Sequence, residues 1–401
     1  MGNSSQLQNK RQGKPKIWTR DFILICMTNL FLFMGFQMTL PTLPLFVEKL
    51  GGSDQLIGFV IGIFTLSALV LRPIAGHALE SKGRGIVYMI GLAIFVISVG
   101  SYAFVGSIFL LFVMRVVQGV GWGMSTTASG TIATDLIPPS RRGEGMGFFG
   151  LSGNLALAFG PSLGLFLAGT TTFKTLFLIC AGIGMASLLL SSRINYVKVE
   201  KQEPKVAPAR FDVFEKTALK PAILMFFVTS TFGGIASFLP LYAQQKHIEG
   251  IELYFFVYAF FLLISRLFAG KIYDRKGHLY IYLPGAALIT AAMLLLSWLP
   301  SMTIMLVAAG LYGLGFGSVQ PALQAWSVEK AAPHRKGMAN ATLFSFFDLG
   351  VGVGAMFFGQ LAHFFGYGSI YLVAAGFVAV SMIVYLLFWS TDRKAAREVS
   401  S

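Results

Sequence analysis

Charge and titratable chemistry are scarce in this chain. Of 401 residues only 12% are charged, with 17 acids, five histidines and two cysteines. Cys26 and Cys180 each sit inside an apolar run, which excludes a disulfide framework or a thiolate cluster and leaves them as small packing residues. His77, His247, His278, His334 and His363 are dispersed at the ends of such runs, so no metal site is expected. No nucleophile, base and orienting group stand together, and no glycine-rich nucleotide loop leads into a soluble domain. Enzyme activity and ATP coupling are therefore not expected, and no cofactor is implied.

What is abundant is apolar surface. Hydrophobic residues make up 55% of the chain, with 38 phenylalanines, more than a water-soluble core of this length would carry. A helix needs roughly 20 apolar residues to cross the hydrocarbon. Such runs predict twelve spans, at 20–47, 55–79, 85–105, 107–133, 142–168, 173–192, 219–245, 249–272, 278–299, 302–330, 335–364 and 368–390. The fold class is an all-α, multi-pass membrane protein of the cell membrane.

The 31 Lys and Arg set the orientation. Lys49, Lys174 and Lys246 fall in loops on one side, whereas the tails and alternate loops hold nearly all the others, which predicts that both termini are cytoplasmic. The net charge of +14 then marks topology and contact with anionic membrane lipids. It is spread over separate loops, which argues against nucleic acid as a partner. A monomer is expected.

The stretch RPIAGHALESKGRG, from Arg72, returns as RLFAGKIYDRKGH, from Arg266, at an offset of 194. The same offset carries Gly76 to Gly270, Gly83 to Gly277, GVGWG (Gly119 to Gly123) to GLGFG (Gly313 to Gly317), Asp135 to Glu329, Arg141 to Arg335 and Asn154 to Asp348. The expected organisation is a tail at 1–19, a six-helix bundle at 20–192, a polar linker at 193–218, a second bundle at 219–390 and a tail at 391–401.

These repeated loops resemble the cytoplasmic signature of the major facilitator superfamily, a glycine, an acid four residues on, then glycine and a basic residue. Here they are Gly76, Glu80, Gly83 and Arg84, and in the second copy Gly270, Asp274 and Gly277, with His278 in place of the base. The resemblance implies two bundles around a mid-membrane cavity that opens alternately to each side. It also implies gating contacts between the halves, Glu80 facing Arg335 and Asp274 facing Arg141 at helix starts. The alternative is that the bases mark topology and Gly83 a tight turn.

In the fifth span, GNLALAFGPSLG with Gly160, Pro161 and Gly164 resembles the antiporter motif of the superfamily's drug and proton exchangers, which implies export. Chance remains an alternative, since glycine and proline are common in membrane helices. In the fourth span, RVVQGVG resembles another superfamily motif and places Arg115 about 12 Å inside the membrane. It is expected to tune a proton site, or else to snorkel outwards. Stripes at helical spacing offer cavity walls: Asn29, Phe33 and Gln37; Gln118, Trp122 and Thr126; and their second-half counterparts Tyr312, Phe316 and Gln320. They suit an amphipathic organic molecule, and equally suit plain helix packing.

Asp348 is the one acid away from helix ends and loops. It is expected to carry the coupling proton under the influence of Arg115, or to be a structural carboxyl hydrogen-bonded to the fifth or tenth span. The leading functional expectation is proton-coupled efflux of a lipophilic or amphipathic small molecule. Export or facilitated passage of an endogenous metabolite, such as a metal-chelating molecule, sugar or lipid precursor, stands beside it. A non-transporting membrane sensor with the same fold is the third.

Overall fold

The computed structural model describes residues 16–196, 214–329, 331–332 and 335–400. The expected N-terminal tail and linker fall largely outside them, as do the side chains of Glu80 and Asp274, whereas the expected C-terminal tail continues the last helix as far as Ser400. In chain order the first half holds α1 (Arg20–Thr39), α2 (Thr42–Lys49), α3 (Asp54–Ser81), α4 (Arg84–Ser101), α5 (Ile108–Leu136), α6 (Arg142–Thr170) and α7 (Phe173–Ser191). The second holds α8 (Leu219–Gln245), α9 (Ile251–Lys276), α10 (Leu279–Trp298), α11 (Met302–Glu329), α12 (Lys336–Phe365) and α13 (Tyr367–Ser400). All but the short α2 are long and apolar enough to cross a membrane, giving twelve spans among the described residues. The first expected span is split after Thr39, because Pro41 has no amide to continue α1 and instead opens α2.

Thr19, Ser53, Ser107 and Thr172 each accept a hydrogen bond from the amide three residues on and so start α1, α3, α5 and α7. The two repeated loops turn on glycines with positive φ, 94° at Gly83 and 78° at Gly277, a backbone that a Cβ would strain.

The repeat governs packing as well as sequence. In the first half α1 packs on α6 and α7, α5 on α3 and α4, and α4 on α7. Their counterparts do the same, α8 with α12 and α13, α11 with α9 and α10, and α10 with α13. Alternate glycines in α5 serve opposite faces: a Cβ at Gly123 would lie 2.6 Å from the Ala68 carbonyl of α3, and one at Gly121 would lie 2.7 Å from the Phe95 amide of α4. Gly317 and Gly315 repeat this against α9 and α10. In lipid, where apolar burial between helices gains little, such close backbone approach supplies the dispersion that holds them together.

The halves meet along two equivalent seams, α3 with α12 and α6 with α9. Contact concentrates at the end away from the basic loops, here called the far face. There Gln55 Nε2 donates to Gln360 Oε1 at 2.9 Å, the Tyr367 hydroxyl donates to Asp54 at 2.7 Å, and the Ser162 hydroxyl donates to the Glu252 carbonyl at 3.1 Å. Gly58, Gly62, Gly352 and Gly359 bring α3 and α12 together, Gly359 so closely that a Cβ would meet the Asp54 carbonyl at 2.6 Å. At the opposite, basic face, a Cβ added at Gly76, Gly83, Gly270 or Gly277 would meet nothing within 4 Å.

Candidate functional site

Between the halves lies a narrow cavity of about 30 Å³. α1 contributes Phe36, Gln37 and Leu40 to its wall, α3 contributes Ile61, Phe64 and Thr65, α8 contributes Phe232, and α12 contributes Phe347, Asp348 and Val351. The wall is mostly aromatic and aliphatic, with one amide, one hydroxyl and one carboxylate. The amide is incompletely matched: Gln37 Oε1 is buried without a hydrogen-bond partner.

Asp348 is ion-paired and hydrogen-bonded to Arg72 of α3, across the seam between the halves. The side chains of Arg72 and Asp348 are 19% and 26% exposed, so the pair is neither sealed nor on an open surface. Arg72 keeps its Nε buried and without a partner. Asp348 is thus tied to the other half of the molecule, rather than to the fifth or tenth span as the structural alternative supposed.

Arg115 does not approach Asp348. It is fully buried within the first half, where Nε donates to the Val60 carbonyl at 2.9 Å and Nη1 to Gln118 Oε1 at 2.6 Å. Its guanidinium lies over the Phe64 ring at 4.3 Å. The alternative of outward snorkelling does not hold: the guanidinium turns inward onto protein partners. The Tyr102 hydroxyl also donates to Gln118 Oε1, at 2.6 Å. Gln118 was expected on the cavity wall, and the structure corrects this: it is spent on Arg115 and Tyr102 inside the bundle.

Other expected wall residues form a layer behind the cavity. Trp122 is 4% exposed and packs with tilted rings against Phe33 and Phe36, centroids 4.7 and 4.3 Å away. Thr126 hydrogen-bonds the Trp122 carbonyl. Asn29 donates to Ser152 at 2.8 Å, tying α1 to α6 within the half. Buried Tyr312 shares a 2.9 Å hydrogen bond with Thr231, and Phe316 lies behind Phe232 and Phe347. Gln320 accepts from Arg266 Nη2 at 2.7 Å. Of these nine stripe residues only Gln37 borders the cavity, because helical spacing marks one face of a helix without saying which neighbour it meets. The aromatic wall residues Phe36, Phe64, Phe232 and Phe347 were missed by the stripes, as was Arg72, the partner of the wall carboxylate Asp348. The signal for Arg72 was present, a repeated arginine nine residues inside the end of α3.

Gly160 and Gly164 of α6 abut α1: added Cβ atoms would meet Gln37 Cβ at 2.5 Å and the Met38 carbonyl at 2.2 Å. Pro161 lies buried between them, inside α6. At the basic face Arg84 pairs with Asp135 of its own half at 2.6 Å, and Arg141 forks onto Glu144 with Nε at 3.0 Å and Nη2 at 2.8 Å. Arg335 pairs with Glu215, just before α8. Burial alone would raise the Glu215 carboxyl, but hydrogen bonds from Thr217 and the adjacent Arg335 outweigh it and hold it below the usual carboxylate range.

A family model described as the Major Facilitator Superfamily matches residues 25–350 and 301–401. The chain is 25% identical over 383 residues to an uncharacterized MFS-type transporter, MJ1560, of Methanocaldococcus jannaschii, covering 92% of this chain and 98% of that one. It is 23% identical over 388 residues to the staphylopine export protein of Staphylococcus aureus, covering 94% and 98%. The fold is that of a solved bacterial homologue of the human lysosomal transporter Spinster, with a TM-score of 0.73 at 16% identity over 94% of this chain and 97% of the other. Twelve membrane helices in two repeated bundles, a cavity between them and a family match across the chain have one meaning: the protein belongs to the Major Facilitator Superfamily and is a membrane transporter, not an enzyme.

Proposed function

We propose that the protein is a secondary exporter that exchanges protons for an amphipathic small molecule, with the basic face cytoplasmic. The observation that carries this reading is the placement of Asp348, a cavity-wall carboxylate paired with Arg72 of the opposite half. Protonation of Asp348 removes its charge and leaves Arg72 without its counter-ion. A proton thereby loosens the α3–α12 seam, and its loss restores the pair.

With the halves joined at the far face and space around the basic-face glycines, the paired, deprotonated form corresponds to a state that has released its proton to the cytoplasmic side. Substrate enters from that side, its apolar body on Phe36, Phe64, Phe232 and Phe347 and its polar groups near Gln37 and Thr65. A fresh proton reaching Asp348 from outside, after the substrate has left, completes the exchange. Arg115 acts at one remove, fixing Phe64 through its ring face. The glycine and proline pattern at 160–164 supports export, since it seats α6 directly on the cavity helix α1.

A second reading, export of an endogenous metabolite, draws support from the likeness to the staphylopine export protein. The test common to both is Asp348→Asn in everted vesicles under an imposed pH gradient, screened over a compound panel. Downhill exchange should persist while uphill, pH-driven transport is lost. Normal concentrative transport by that variant sinks the assignment.

A further inference from the structure

Inside the membrane spans, seven or more residues from a helix end, the charged residues are Arg72, Arg115, Arg266 and Asp348. Three guanidiniums stand against one carboxylate. Arg115 is enclosed within its own half by the Val60 carbonyl, the Gln118 amide and the Phe64 ring, with Nη2 buried and without a partner, and Arg72 has Asp348. Arg266 has only an amide: Nη2 bonds Gln320 Oε1 at 2.7 Å, and Nε is buried without a partner.

The internal repeat shows what is missing. Arg266 is the counterpart of Arg72, and the counterpart of Asp348 is Asn154, each at the offset of 194. At equivalent positions of the repeat, α3 and α12 carry an arginine and a carboxylate that pair across the seam, whereas α9 and α6 carry an arginine and a neutral amide. A membrane-embedded guanidinium lacking a counter-charge is costly, and a ligand that supplies the charge recovers that cost. The Arg266–Gln320 pair stands one layer behind the cavity wall. Gln320 lies one turn beyond Phe316 on α11, and Phe316 packs against Phe232 and Phe347 of the wall.

We infer that Arg266, presented by Gln320, is the receptor for an anionic group on the substrate, so that the transported class is amphipathic organic anions. The guanidinium provides charge-assisted hydrogen bonds to a carboxylate or similar group while the apolar body lies on Phe232 and Phe347. This rests on the cavity being the transport site, and adds to that reading the charge of what it takes.

The test is equilibrium binding by the purified full chain in lipid nanodiscs, at neutral pH and without a gradient, so it is independent of proton coupling. Three probes sharing one naphthyl group are titrated by calorimetry: 1-naphthylacetate, its isosteric neutral amide, and the shorter, cationic 1-naphthylmethylammonium. The carboxylate should bind at least about tenfold tighter than the amide, and the cation weakest. Arg266→Gln should erase the difference. Asn154→Asp, which supplies the carboxylate that this seam lacks, should also erase it by pairing Arg266 internally, and Arg266→Lys should retain part of it. A carboxylate bound no better than the amide, whether both bind or neither does, overturns the inference. So does a preference that survives in both Arg266→Gln and Asn154→Asp.

Discussion

Arg72 of α3 and Asp348 of α12 form an ion pair that joins the two halves of the transporter at the wall of its central cavity. Because each side chain retains some exposure, the pair is expected to be worth less than a sealed one. A double-mutant cycle with Arg72→Gln and Asp348→Asn should give a coupling of about 1–3 kcal/mol in denaturant unfolding of the detergent-solubilised protein. Additive single effects would mean that the two groups do not interact in solution.

Gln118 offers a sharper choice between cavity and bundle. Removing its carboxamide by Gln118→Leu strips a buried acceptor from Arg115 and Tyr102, and should cost about 1–3 kcal/mol of stability. A variant of unchanged stability with altered substrate preference would return Gln118 to the substrate-facing wall.

The contact between α6 and α1 has a built-in control. Gly164→Ala places a Cβ 2.2 Å from the Met38 carbonyl, whereas Gly169→Ala meets nothing within 4 Å in the same helix. The first should lower the unfolding temperature, by an overpacking cost of about 1–3 kcal/mol, and the second should not. Equal melting temperatures would contradict the close approach.

Closure of the far face is expected to depend on backbone contact at Gly58 and Gly359. Gly58→Val forces a side chain onto the Ala355 carbonyl, which a Cβ alone would approach to 2.6 Å. The population should shift towards a state open at the far face. Labelling of a cysteine placed at Gln55 by a membrane-impermeant maleimide should then accelerate, with Cys26 half-buried and Cys180 buried as background. An unchanged rate would show that the seam tolerates bulk without parting.

The Glu215–Arg335 pair predicts a pH effect of definite sign. A carboxyl held below its usual range in the folded protein adds stability above its unfolded pKa, and loses that contribution as pH falls through the folded value. Melting temperature should therefore drop between about pH 5 and pH 3. In Glu215→Gln this part of the drop should disappear. Parallel profiles for the two proteins would remove the pair from the account.

Much of the architecture was legible in the sequence because bilayer thickness and a fixed repeat offset leave few alternatives. The twelve spans and the matching halves follow from those two constraints. The cavity was less legible. A stripe such as Gln118, Trp122 and Thr126 defines a helix face, yet in this fold the face can meet a sister helix or the opposite half with similar chemistry. Asp348 stood out as a lone acid, but its partner did not, since Arg72 belongs to a loop-proximal motif and meets Asp348 only when the halves assemble. The positive φ of Gly83 and Gly277 was anticipated as a tight turn at Gly83, while the tie from Glu215 to Arg335 needed three-dimensional proximity.

The glycine seam between α3 and α12 also bears on how readily the molecule changes shape. At Gly58 and Gly359 backbone rides on backbone, and only Met356 and Thr65 seat side chains against Gly62 and Gly352, so little has to disengage before the halves can rock. In lipid, the surfaces uncovered by rocking are solvated by chains as apolar as themselves, so parting them carries little of the penalty it would have in water. One pH unit supplies about 1.4 kcal/mol per proton. A joint with such low mechanical friction lets a drive of that size bias the direction of rocking, where a tightly interdigitated interface would stall.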